Sequence, residues 1–102
     1  LNFEWLDEII EILGSQQLKV VLGTPTAAPP RWMINKYPDM LAWDEKGNVR
    51  NYGSRRHYCF SHRGYFEECE RIVELLARRY GQSPYVFAWQ TDNEYGCHNT
   101  TL

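Results

Sequence analysis

The octapeptide W-Q-T-D-N-E-Y-G, Trp89 to Gly96, sets two carboxylic acids around an amide directly behind the apolar run Tyr85 to Trp89. A carboxyl beside apolar rings is partly desolvated, and desolvation raises its pKa toward the range in which it can donate and then recover a proton near neutral pH. Glu94, with Trp89 and Tyr95 as its aromatic neighbours, is the group placed for that task. Asn93 adds a neutral amide that both donates and accepts, which suits holding a sugar hydroxyl beside a bond being cut. Asp92 reads as a structural hydrogen-bond acceptor rather than a second catalytic acid, because adjacent strand-end residues point in different directions.

A second concentration of chemistry is Arg55-Arg56-His57, inside G-S-R-R-H-Y-C at Gly53 to Cys59. Three basic residues do not make a nucleic-acid patch in a chain of formal net charge -2 without Lys or Arg runs. A buried arginine paired with a strand-end carboxylate is the structural role open to Arg56. Trp32 and Trp43 suit either a stacking wall for a sugar or an anchor that pins their segment down. His57, Cys59, His62, Cys97 and His98 offer soft and imidazole ligands, but none shows the C-x-x-C or H-x-x-x-H spacing of a closed zinc site. Three cysteines, an odd number, argue against a disulfide framework and for a reducing compartment.

The elements that must position these groups follow from hydrophobic periodicity. Leu6, Ile9, Ile10 and Leu13 fall at helical spacing over Phe3 to Leu13, with Glu4, Asp7, Glu8 and Glu11 opposite and Gly14 as the expected stop. Leu18 to Leu22 reads as a short buried strand ended by Gly23, Thr24 and Pro25. Phe66, Cys69, Ile72, Val73, Leu76 and Tyr80 form a second apolar helix face, which places Cys69 in the core and sets Glu67 with Arg71 and Glu74 with Arg78 as exposed i,i+4 pairs. Gly81 closes that helix, and Tyr85 to Trp89 reads as a continuous apolar strand covered on both faces. Two strands each preceded by a helix imply a parallel α/β sheet.

Between them, Pro25 to Ser61 has no sustained period, apart from a turn or two of helix within Trp32 to Met40. Loops this long are uncommon unless they serve as lids or binding walls. This one leaves the carboxyl end of the first strand, as Asp92 to Tyr95 leave that of the second, and ligands of parallel α/β folds sit at that edge.

Composition and length set the outer bounds. With 43% hydrophobic and 24% charged residues the chain suits a soluble globular class, while 15% aromatic, including four Trp and seven Tyr, suits a stacking surface or a packed core equally. No run reaches the roughly 18 apolar residues of a membrane span, and no charged-then-apolar leader opens the sequence. The chain starts at Leu1 rather than Met and stops at Leu102 without a closing element, as a piece of something longer would.

The combination of G-S-R-R-H-Y-C at Gly53 to Cys59, R-R-Y-G at Arg78 to Gly81 and W-Q-T-D-N-E-Y-G at Trp89 to Gly96 resembles glycoside hydrolase family 42, the bacterial β-galactosidases. The resemblance runs over essentially the whole chain. It implies a partial TIM (β/α)8 barrel, from about the second helix to the fourth strand, with residues 1–102 an incomplete catalytic domain. It implies retaining hydrolysis of terminal β-D-galactosides by two carboxyl groups, with Glu94 as acid/base and Asn93 and Arg55 as substrate-binding residues. The nucleophile of the resembling enzymes lies on a later strand, and a closed barrel takes about 250 residues, so the isolated chain is expected to be inactive. The family pattern requires no cofactor for catalysis. It does imply a structural zinc in the parent, with Cys59 as one ligand and the others beyond Leu102, and a cytoplasmic homo-oligomer, often a trimer, without nucleic-acid or membrane partners. The competing reading is a non-catalytic carbohydrate- or partner-binding α/β module that keeps the aromatic cleft without a second acid.

Overall fold

The computed structural model describes residues 1–54 and 56–95. Its elements run α1 (Glu4–Ser15), β1 (Val20–Gly23), α2 (Arg31–Lys36), a single 3-10 turn (Pro38–Met40), α3 (Arg63–Tyr80) and β2 (Val86–Gln90). β1 and β2 pair in parallel, with Val20 opposite Val86, Leu22 opposite Trp89 and Gly23 opposite Gln90. The expected helix-strand-loop-helix-strand order holds, and the parallel pairing with it.

One core explains why these elements dock. Val20 and Leu22 of β1 are buried, as are Ile10 of α1 and Leu76 and Tyr80 of α3, and Phe3, Leu6, Leu13, Ile72, Tyr85 and Val86 pack around them. Alternate residues of β1 face water, Val21 being 58% exposed. On β2 the expected cover on both faces is absent among the described residues, since Phe87 is 68% exposed. Phe87 is also where the register slips, because the partner of β1 advances from Val86 to Ala88 between Val20 and Val21. The ring is met instead by the Lys19 ammonium, 4.7 Å from its centroid.

Gly14 has a different role from the expected stop. The helix continues through Ser15, and the left-handed residue that ends it is Gln17, at φ 61. Leu18 N–H donates to the Leu13 carbonyl and Gln17 N–H to that of Gly14, each at 3.0 Å, which is the Schellman arrangement shifted three residues along. What demands glycine at 14 is the Tyr85 ring, which lies over the backbone where a Cβ would project.

The long segment after β1 is more ordered than its lack of period suggests, because it builds a second core of its own. Met33, Ile34, Met40, Tyr58 and Tyr65 bury together, with Met40 and Tyr58 fully enclosed, and Cys69 packs half-buried at the margin. Backbone bridges pair Leu41 with Tyr58 and Trp43 with Val49. The turn between the latter two is closed by Asp44, whose Oδ1 accepts from the N–H groups of Lys46 and Asn48 at 2.9 and 2.8 Å. Glu68 of α3, itself buried, accepts from Lys36 and from Arg71, each at 2.8 Å, and so ties α2 to α3. That claim on Arg71 displaces the expected Glu67–Arg71 pair, and Glu67 is instead met by Arg63 at 2.8 Å, whereas Glu74–Arg78 forms as expected.

Two outcomes follow. Gly14→Ala, which in an open helix would gain about 1 kcal/mol, should lose about 1–3 kcal/mol by driving a methyl into Tyr85. An unchanged or raised urea midpoint would contradict the packing. α1 is also tied to α3 by Asp7, which accepts from Arg79 Nε at 2.8 Å and from the Tyr80 hydroxyl at 2.6 Å. The Arg79 bond, then that of Tyr80, lowers the Asp7 carboxyl to about 2. A folded-state value below the unfolded one means that the contribution is complete above pH ~4 and lost as pH falls toward 2. The acid limb of the stability-pH curve should therefore flatten in Asp7→Asn over that window.

Candidate active site

The carboxyl ends of the two strands carry different halves of one polar cluster. Thr24 and Thr26 follow β1, and Gln90, Asp92, Asn93 and Glu94 end and follow β2. Thr24 N–H continues the ladder by donating to the Gln90 carbonyl at 2.9 Å. Its hydroxyl then accepts from Asp92 N–H, also at 2.9 Å. The strand ends are thus locked in register by a threonine that a sheet pattern alone does not single out.

Asp92 is the hub. Its Oδ1 accepts from Arg56 Nη1 at 2.6 Å and from Asn93 N–H at 2.6 Å, and its Oδ2 accepts from the Thr26 hydroxyl at 2.8 Å. Both members of the ion pair are buried, Arg56 to 4% and Asp92 to 8% exposure. Burial pushes the Asp92 carboxyl up, but the Asn93 N–H, the Arg56 guanidinium and the Thr26 hydroxyl together outweigh it and leave it below the ordinary carboxylate value. Asp92 is therefore an anion at neutral pH with its oxygens occupied, a structural acceptor as its position suggested. Arg56 in turn donates to the Tyr58 hydroxyl at 2.7 Å, which joins the cluster to the second core. Tyr65 completes the link by donating to the Thr26 carbonyl at 3.0 Å.

The backbone here is unusual. Arg56, Asp92 and Glu94 all sit in the left-handed region, at φ 52, 55 and 44, without being glycine. Such residues persist where surrounding interactions over-determine them, and they concentrate at functional sites. In this cluster the buried pair supplies the restraint on two of the three.

Asn93 is oriented as well as placed. Gln90 Nε2 donates to the Asn93 Oδ1 at 3.2 Å and to the Asp92 carbonyl at 3.2 Å. With its oxygen so engaged, the Asn93 amide presents its N–H₂ as the half available to a ligand. Asn93 lines a cavity of about 380 Å³ together with Ala27, Pro29, Tyr52, Arg56 and His57. That lies in the roughly 300–1,000 Å³ range of small-molecule sites.

The other expected site residues fare differently. Glu94 is exposed, and Tyr95 beside it is 68% exposed, so the desolvation expected from Trp89 and Tyr95 is not supplied by those rings. Two strands cannot enclose a strand-end side chain; the walls of an enclosed site come from further strands and their loops. Arg55, Cys97 and His98 lie outside the described residues. Trp32 is 46% exposed, and neither it nor Trp43 lines the cavity that Asn93 shares. Cys59 is half-buried, and among the described residues no three His, Cys, Asp or Glu side chains come together as a metal set. The resemblance places the other ligands of a Cys59 zinc site beyond Leu102, outside the described residues. Among the described residues no helix is long and apolar enough to cross a membrane. Thr24, Thr26, Gln90 and Tyr58 are the site residues that periodicity could not find, since each is an ordinary strand-end or loop residue until the partner strand is in place.

A helix-flanked parallel strand pair that delivers an amide and a carboxylic acid to its carboxyl edge has the architecture of a (β/α)-barrel segment. The comparisons with known proteins narrow this to one family. A family model described as beta-galactosidase, that of glycoside hydrolase family 42, matches residues 1–102. The chain is 57% identical over 100 residues to the beta-galactosidase of Thermus thermophilus, a stretch that is 98% of this chain and 16% of that protein. The crystal structure of the beta-galactosidase from the psychrophilic Marinomonas ef1 superposes with a TM-score of 0.91 at 61% identity, over 96% of this chain and 15% of that one. The polyextremophilic beta-galactosidase of the Antarctic haloarchaeon Halorubrum lacusprofundi gives 0.88 at 53% identity, again over 96% of this chain and 15% of that one. This chain belongs to glycoside hydrolase family 42, and it spans about one-sixth of the length of the curated relatives it matches.

The buried pair makes a direct prediction. Arg56→Met leaves Asp92 as an uncompensated buried charge and should cost about 3–5 kcal/mol. A urea-unfolding loss below about 1 kcal/mol, the ceiling for an exposed pair, would show that the pair does not hold the strand end.

Proposed function

We propose that this chain is the acid/base-bearing segment of a retaining β-galactosidase. The observation that carries the reading is the Asn93–Glu94 pair at the carboxyl end of the parallel strand β2, held beside the buried Arg56–Asp92 ion pair, in a chain matched by the family along its whole length. Glu94 protonates the glycosidic oxygen as the leaving group departs. A second carboxylate, roughly 5–5.5 Å away on polypeptide outside these residues, takes the anomeric carbon. Glu94, now ionised, accepts a proton from water, which attacks the glycosyl-enzyme and releases the sugar with retention. Asn93 donates its N–H₂ to a sugar hydroxyl close to the reacting carbon, its direction set by Gln90. Arg55 joins it in binding the sugar. The desolvation that tunes Glu94 comes from the remaining walls of the barrel and from its partner carboxylate.

The test belongs in a full-length enzyme carrying this segment, either the parent gene product or a chimera in which residues 1–102 replace the matching stretch of the Thermus thermophilus enzyme. Glu94→Ala should lower turnover of a galactoside with a poor leaving group by roughly 10²–10⁴-fold. Added azide should restore turnover of an activated aryl galactoside and yield the β-galactosyl azide, because the glycosyl-enzyme still forms. Full activity in Glu94→Ala, or rescue giving the α-azide, would exclude the assignment.

A further inference from the structure

β2 ends at Gln90, and the peptide groups on either side of Asp92 are held by side chains instead of a ladder. Asp92 N–H donates to the Thr24 hydroxyl at 2.9 Å, and the Asp92 carbonyl accepts from Gln90 Nε2 at 3.2 Å. Asn93 N–H donates in turn to Asp92 Oδ1 at 2.6 Å. Of these three contacts, that of Thr24 is the one supplied by the neighbouring strand end. The Thr24 hydroxyl also lies 3.4 Å from the Gln90 carbonyl, which only accepts, so its proton is turned there and a lone pair faces Asp92 N–H.

The peptide so held belongs to a residue in a disfavoured conformation. Asp92 is left-handed at φ 55, and Glu94, two residues on, is left-handed at φ 44. Side chains bearing a Cβ stay in that region where neighbouring groups impose it. The direction in which the chain leaves the strand, and with it the place of the Glu94 carboxyl, therefore depends on what grips Asp92. A proton donor must come within hydrogen-bond reach of the atom it serves, so a small displacement of its backbone is felt in the rate.

We propose that Thr24 is a positioning residue for the acid/base: its hydroxyl holds the Asp92 peptide and so aims Glu94 at the leaving-group oxygen. The proposal rests on the galactosidase reading and adds to it a residue of the adjacent strand end that acts through the backbone.

The test uses the full-length enzyme or the chimera and two galactosides, one with an alkyl alcohol as leaving group and one with 2,4-dinitrophenol. The alkyl alcohol needs its oxygen protonated as it departs, whereas dinitrophenol leaves as a stable anion. Loss of folded protein, or of a sugar contact, lowers kcat/KM for both by one factor, so the dinitrophenyl-to-alkyl ratio of kcat/KM reports the acid alone. Thr24→Val keeps the shape of the side chain and removes the hydroxyl. It should raise that ratio by about tenfold or more. Thr24→Ser, which restores the hydroxyl, should return the ratio to within about twofold of the wild type, the margin of independent sites. An unchanged ratio in Thr24→Val overturns the proposal, and so does a Thr24→Ser ratio raised as far as that of Thr24→Val. If Thr24→Val does not fold, Thr24→Ala is read in its place by the same criterion. Glu94→Ala separates the two readings. An unchanged ratio there removes the acid assignment and this proposal with it, whereas a raised ratio in Glu94→Ala beside an unchanged one in Thr24→Val overturns this proposal alone.

Discussion

A guanidinium and a carboxylate, both withdrawn from water, hold the site together. Arg56 comes from the loop after β1 and Asp92 from the end of β2, so their 2.6 Å contact joins segments 36 residues apart in sequence. Stripping water from two ions is expensive, and their attraction offsets the loss only when the remaining lone pairs and protons are used. Here Thr26 and the Asn93 amide fill the carboxylate, and the Tyr58 hydroxyl accepts from the same Arg56 Nη1 that meets Asp92. Losing either partner would leave the other as a buried charge, so the pair ties the loop to the strand end. It also accounts for a backbone that turns left-handed at Arg56 and Asp92.

The division of labour between two cores follows from that joint. The first, between β1 and the helices, sets where the strands end. The second, around Met40 and Tyr58, sets where the loop wall stands. Tyr58 belongs to the second core by its ring and to the ion-pair cluster by its hydroxyl, so the loop is indexed to the strand end through one residue. His57, next in the chain, is thereby placed at the cavity with its ring already restrained.

Much of this was legible in the residues. The apolar spacing of Leu6, Ile10 and Leu13, the short run ending at Gly23 and the period of Ile72, Leu76 and Tyr80 located helices and strands to within a few positions. A carboxylate partner for Arg56 at the strand end could be anticipated because a buried cation needs an anion. What could not be read were facts that depend on contact across the sequence. Gly14 looked like a stop because glycine usually is one, yet the Tyr85 ring is what excludes a side chain there. The Pro25–Ser61 stretch looked irregular because its order comes from long-range packing rather than local period. Glu94 looked desolvated because its neighbours in sequence are aromatic, yet at an open strand end Trp89, Tyr95 and Glu94 all stand exposed.

The parallel sheet itself carries one last implication. With two strands, each of β1 and β2 has an outer side, and an unpaired outer side is a template for adding another strand. Phe87 projects from the slipped register beside one of them, largely in water. Produced by itself, the polypeptide would thus offer ready-made docking for copies of itself, and its colloidal behaviour would be dominated by strand addition. Within a closed ring of eight strands the same backbone groups become ladder bonds, and a hazard of the piece turns into the cohesion of the whole.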